Sequence, residues 1–247
     1  MPTLRRIIRP FLLLPALCLT LAALCAMPCT AAALSRDEAV QILYDTHTIA
    51  GYVGLYGEPS YAGKPQNVLA AALFGAYDAK MMFRYQQDQR REEGKKPLPP
   101  SSPLFTAGGR SLAASQVLTR DDAPDLFRGL PEQYSAFVSR EAAEIAALRY
   151  TGHAVKQHAA PAGNEFLGEV ILNGKGYFVC IDGLGDLMHE PVLRQLSQKG
   201  SGFLLSGDIE QVMGDEVNAV PDTFTLTLTP GDAPGTWKRQ YVITPGS

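Results

Sequence analysis

Cys180, His153, His158 and His189 are the side chains of this chain whose types could support nucleophilic catalysis. A thiol attacks as its thiolate and needs a base, most often histidine, to hold it in that form. His189 is the histidine nearest to Cys180 in sequence. Cys180, however, lies between Val179 and Ile181 in an apolar run, where cysteine packs as a small hydrophobe. His153 and His158 are five residues apart, which sets them on different faces of a helix, unlike the i, i+4 pair of zinc hydrolases. The stretch from Asp182 to Asp186 lacks the third-position ligand and the closing glutamate of a calcium loop. No metal and no cofactor are expected.

Tyr52, Tyr56 and Tyr61 are candidates of another kind. Interleaved with Gly51, Gly54 and Gly57, they could present flat rings to a sugar, a peptide or a partner protein. The plainer alternative is that these rings close a junction between helices.

The first 33 residues read as an export signal. Arg5, Arg6 and Arg9 make a positive end, residues 11–26 are almost wholly apolar, and Ala31-Ala32-Ala33 offers a small-residue cleavage site. The apolar core is shorter than the ~20 residues that span a bilayer. Cys18 and Cys25 follow leucines and Cys29 follows Pro28, so none suits lipid attachment. Arg5-Arg6 lacks a fuller twin-arginine motif. Cleavage is expected after Ala33, leaving an exported chain, periplasmic or secreted, with no stable membrane span.

Cleavage there removes three arginines and no acidic residue, taking the net charge from −3 to about −6. An acidic chain disfavours nucleic acid as a partner, because phosphate binding wants a basic face. Cys180 is then the one cysteine left, so stability must come from packing rather than from an intramolecular disulfide.

The elements that would position these residues follow from pattern. Ser35 and Glu38 make a capping box ahead of Val40, Leu43 and His47 at helical spacing, with Gly51 as the stop. A longer helix is predicted from Pro65 to about Gln89, apolar on nearly every side over 68–76. Residues 90–103, with four prolines and dense charge, read as an exposed loop or linker and the best domain boundary. Asp121-Asp122-Ala123-Pro124 opens a short helix ending by Gly129. Residues 131–158 read as mainly helical, with Phe137, Ala142, Ile145 and Leu148 as one stripe.

Strands follow. Two β-branched and aromatic runs within 169–181 flank Asn173-Gly174, the preferred pair for a tight hairpin. The second run is apolar on both faces, as in a central covered strand. A helix is predicted from Glu190 to Lys199, with Pro191 in its first turn and Gly200 at its end. A short strand at 202–206 and a hairpin pairing 223–229 with 236–243 complete the chain.

The expected fold is α+β: N-terminal helices, then a mainly antiparallel sheet built from hairpins with one or two packed helices. The expected organisation is a cleaved signal at 1–33, a helical region at 34–89, a loop or linker at 90–103 and an α+β region at 104–247. The two larger regions form either one domain or two. No paired acid/base motif, nucleophile elbow or H-E-x-x-H is present. These residues favour a non-catalytic binding or interaction module of the cell envelope or medium, with a protein, peptide or glycan partner. The alternative is an envelope hydrolase or transferase using Cys180 with a histidine.

Overall fold

The computed structural model describes residues 34–52, 65–162, 167–181, 189–213 and 216–246. The architecture is α+β. Residues Leu34–Ser247 gather into one compact unit, so 34–89 and 104–247 pack together. Two four-stranded antiparallel sheets, a two-stranded hairpin and three α-helices make up the described part.

Helix α1 (Arg36–Tyr52) starts on the expected capping box: Ser35 Oγ accepts from Glu38 N–H at 3.2 Å, and the Glu38 carboxylate accepts from Ser35 N–H at 3.0 Å. Helix α2 (Pro65–Glu92) begins on proline, which loses nothing at a first turn, and buries every residue from 68 to 76. It runs three residues past the predicted end. The following loop folds back on it, with Gln87 exchanging hydrogen bonds with the Leu98 backbone at 2.7 and 2.8 Å. Residues 90–103 are thus the end of α2 and a clasped surface loop.

A short hairpin follows, β1 (Pro103–Ala107) and β2 (Arg110–Ala113), turning at Gly108 and Gly109. Both glycines have positive φ, as a two-residue hairpin turn of this kind demands. A 3-10 turn then leads to β3 (Val117–Thr119). The expected short helix near Pro124 is a 3-10 turn, Pro124–Phe127.

The helix predicted across 131–158 divides. Residues Ala136–Ser139 form strand β4, and helix α3 occupies Arg140–Thr151. Phe137 therefore belongs to a strand, opposite Phe178, with the ring centroids 5.0 Å apart. Pairing on both edges, to β3 and to β6, outweighs the helical spacing here. Ser139 caps α3 by accepting from Ala142 N–H, and Gly152 ends it in a left-handed conformation.

Strands β5 (Leu167–Leu172) and β6 (Gly176–Ile181) make the expected hairpin, with the Asn173 side chain accepting from the Lys175 and Gly176 amides. The first sheet has the order β3-β4-β6-β5. Strand β6 is central and buried throughout. Tyr177, Val179 and Ile181 join the core under α2 and α3; Phe178 and Cys180 pack with Phe127, Tyr134 and Phe137 on the other face. Helices α2 and α3 meet closely at Gly75, where a Cβ would lie 2.4 Å from the Tyr150 ring. Only glycine fits there.

The second sheet, β10-β9-β8-β7, comprises β7 (His189–Lys199), β8 (Gly202–Met213), β9 (Glu216–Pro230) and β10 (Trp237–Thr244). The alternation after Thr223 behaves as a half-buried strand should: Phe224, Leu226 and Leu228 face inward against α1, and the threonines face outward. Residues 190–199 are a correction, since they form β7 and not a helix. A register shift between Leu193 and Gln195 inserts one extra residue at Arg194. That bulge brings Leu193 and Leu196 to the same core, so a spacing of three serves a strand.

Candidate functional site

The sequence-predicted residues do not converge. Cys180 is 6 % exposed, mid-strand on β6, among Phe127, Tyr134, Phe137 and Phe178. His158 lies toward the opposite face of that strand. Its Nδ1 is 2.6 Å from the Tyr177 hydroxyl and its Nε2 is 3.3 Å from Glu144. Because a carboxylate accepts, Nε2–H donates to Glu144, and Nδ1 meets the Tyr177 hydroxyl on the other side of the ring. The Tyr177 hydroxyl is sealed from solvent and burial pushes its pKa up to about 12, so this chain of groups pins the segment after α3 to the sheet.

His153 stands 3.8 Å from Asp232 in the turn before β10, its pKa lowered mainly by burial. His189 opens β7 with an exposed side chain, while its carbonyl serves His47. The three histidines thus occupy three separate places, none in the aromatic cluster around Cys180. Tyr56, Tyr61, the side chain of Tyr52 and the stretch 182–186 lie outside the described residues. Among the described residues no cluster of three or more metal-ligating side chains occurs. No described helix is long and apolar enough to cross a membrane.

The arrangement with chemical potential lies elsewhere, in a cleft of about 210 Å³ where α1, α2, α3 and β1 meet. Helical spacing explains its walls. Gln41 and Asp45 are one turn apart on α1, Asp78 and Met82 are one turn apart on α2, and Arg149-Tyr150 comes from the last turn of α3. Strand β1 supplies Leu104 and Phe105, whose ring stands edge-on to Tyr150 at 5.3 Å.

Two carboxylates face this space in unlike states. Asp45, with its side chain 12 % exposed, accepts from Gln41 Nε2 at 2.7 Å and from an Arg149 guanidinium nitrogen at 2.9 Å. Asp78 has no hydrogen-bond or ion-pair partner among the described residues. Burial pushes its pKa up to about 6, with the charge of Asp45 adding to the effect. The Tyr150 hydroxyl is raised as well, first by burial and then by both carboxylates. At neutral pH the cleft therefore holds two negative charges against one guanidinium.

The rim is apolar. Met82 is 53 % exposed, and Tyr44, one residue before Asp45, is half exposed with its hydroxyl in the field of Asp78. At about 210 Å³ the cleft is smaller than the roughly 300–1,000 Å³ of a typical small-molecule site and suits one long side chain. Periodicity does not mark this site, because its parts come from four elements. One signal was readable: Asp78 is the first charge after the apolar run that begins at Val68. No protein-family model, curated protein or solved structure matches the chain, so its reading rests on this geometry.

Proposed function

We propose that this chain is an exported, non-catalytic binding protein of the cell envelope or medium, and that the Asp45–Asp78 cleft is its binding site. The group bound is a cation on an apolar stem, such as the ammonium of a lysine side chain. One observation carries this reading: Asp78 keeps a half-buried carboxyl without a partner in a cleft walled by Met82, Leu104 and Phe105, while Asp45 beside it is fully partnered. The carboxyl is only partly buried, so solvent reaches it, and an incoming cation would displace that solvent. An incoming ammonium would neutralise Asp78 while its methylenes covered the apolar wall.

Calorimetric titration with Nα-acetyl-lysine amide tests this. Binding is expected at pH 7.5 and is expected to weaken below pH 6, as protonation removes the Asp78 charge. Asp78→Asn is expected to lower affinity at least about tenfold, the effect of losing one charge-assisted hydrogen bond. Equal affinity in Asp78→Asn, or no binding to the wild type, would refute the site. Export is checked separately, by the intact mass of chain recovered from the envelope or medium. The expected N-terminus is within a few residues of Leu34.

A further inference from the structure

The cleft does not end at Arg149. A second cavity of about 150 Å³ lies beyond it, and the two share Gln41 and Arg149 as lining residues. Residues 103–105 of β1 line the first cavity, and Thr106 and Ala107 line the second. On the opposite wall α1 runs the other way, from Asp45 and Gln41 to Ile42 and Glu38, with Leu34 just ahead of the helix. All five consecutive residues of β1 border this groove, not every second one. A bulge at Leu104 breaks the alternation over residues 103–105, but beyond it the consecutive residues Thr106 and Ala107 both line the second cavity, which sets that cavity along the edge of β1.

That edge is open. Strand β1 pairs only with β2 in the described sheets. In the hairpin Ala107 faces Arg110 across the two-glycine turn, so these two exchange both backbone hydrogen bonds, as do Phe105 and Leu112. Thr106, between them, directs its N–H and C=O away from β2 and toward the groove side. The side-chain hydroxyls of Thr106 and Ser111 meet at 2.9 Å, as befits a non-hydrogen-bonded pair. Five residues of strand extend about 17 Å at ~3.4 Å each, which matches the run of α1 along the other wall.

We infer that the groove takes an extended peptide that adds as a strand to the free edge of β1, with a lysine or arginine side chain seated against Asp78. Charge supports this occupant: Arg149 is engaged by Asp45 and Arg239 by Thr46 and backbone carbonyls, which leaves Asp78 as the charge that a ligand can satisfy. Main-chain bonds to Thr106 would supply affinity, and the acidic cleft would select the side chain. The inference rests on the cleft reading above and adds the strand edge to it.

The test compares a capped pentapeptide, acetyl-Ala-Ala-Lys-Ala-Ala-amide, with Nα-acetyl-lysine amide on the full exported chain. Two added backbone hydrogen bonds predict about tenfold tighter binding of the pentapeptide. Two further pentapeptides carry N-methyl groups on alternate amides, in complementary sets. Strand addition predicts that one set abolishes the gain and the other leaves it intact. Thr106→Pro, which removes an outward N–H at an edge position that tolerates proline, is expected to bring the ratio of the two affinities close to one.

If acetyl-lysine amide binds and the pentapeptide binds no tighter, the strand edge is refuted and the cleft stands. If neither binds, both fall. Equal tolerance of the two methylation patterns would also overturn strand addition. So would a glucosamine oligomer that outcompetes the pentapeptide, because it carries amines without peptide bonds.

Discussion

Three consecutive residues of α1 divide two regions that treat buried polar groups in opposite ways. Asp45 turns to the cleft, whereas Thr46 and His47 turn to the second sheet. On the sheet side Thr46, His47 and Arg239 hydrogen-bond to groups on other elements. His47 Nε2–H donates to the His189 carbonyl at 3.0 Å, and its Nδ1 accepts from the Tyr241 hydroxyl at 2.7 Å. Arg239 donates to Thr46 Oγ1 at 2.9 Å and to the carbonyls of Ile42 and Arg149. These bonds tie β10 to α1 and α3. Across the helix, Asp78 accepts from nothing described. The difference is that the sheet side uses its polar groups for tertiary hydrogen bonds, whereas the partly buried Asp78 carboxyl is left facing the cleft.

The largest expected effect tests the closed side. Arg239→Ala strips donors from two carbonyls and a hydroxyl that stay buried, and is expected to cost ~3–5 kcal/mol in urea denaturation. A loss under ~1 kcal/mol would mean that the polar groups beneath α1 do not hold the sheet, and the comparison would collapse.

Next come two opposed pH dependences. The Asp78 pKa is raised to about 6, so its ionisation penalises the folded state as pH rises from about 4 to 6 and above. Asp78→Asn is therefore expected to be more stable than wild type by ~1–3 kcal/mol at pH 7.5 and about equal to it near pH 3.5. His47 is lowered to about 4, chiefly by burial, so it favours the fold above pH 6.5 and loses that contribution as pH falls toward 4. Between pH 4 and 6 the two slopes oppose each other. His47→Gln is expected to uncover stability that rises on acidification; Asp78→Asn is expected to uncover the opposite slope. Parallel pH profiles for the two variants would break the contrast.

A smaller effect concerns the far face of the first sheet. Cys180 is packed among aromatic rings, so a thiol reagent at neutral pH is expected to label it far more slowly in the native chain than in the denatured one. Cys180→Ser is expected to cost ~1–3 kcal/mol, since a hydroxyl enters an apolar site, and Cys180→Ala less. Native labelling as fast as denatured labelling would reopen a chemical role for the thiol.

What the sequence by itself determined about this chain is local. The capping box at Ser35 and Glu38, the apolar first half of α2 and the threonine-alternating strand each depend on neighbours within a turn or a pleat, and each is found as read. The hairpin at Asn173-Gly174 is found too, but over a four-residue turn, 173–176, with neither Asn173 nor Gly174 at positive φ. The α+β class followed from them. Tertiary structure decided the rest. Strand β4 exists because β3 and β6 flank it, although Phe137, Ala142 and Ile145 also fit a helix. Strand β7 mimics a helix because its bulge at Arg194 turns a period of two into a spacing of three. The hairpin of β1 and β2 is four or five residues a side, too short for alternation to mark it, and packing on α3 holds it. The cleft is the clearest case. Whether Asp45 and Asp78 have partners depends on where Arg149 and Gln41 arrive, and their separation of 33 positions in the chain carries no trace of that meeting. Partnership is a property of distance in space, which local pattern does not encode.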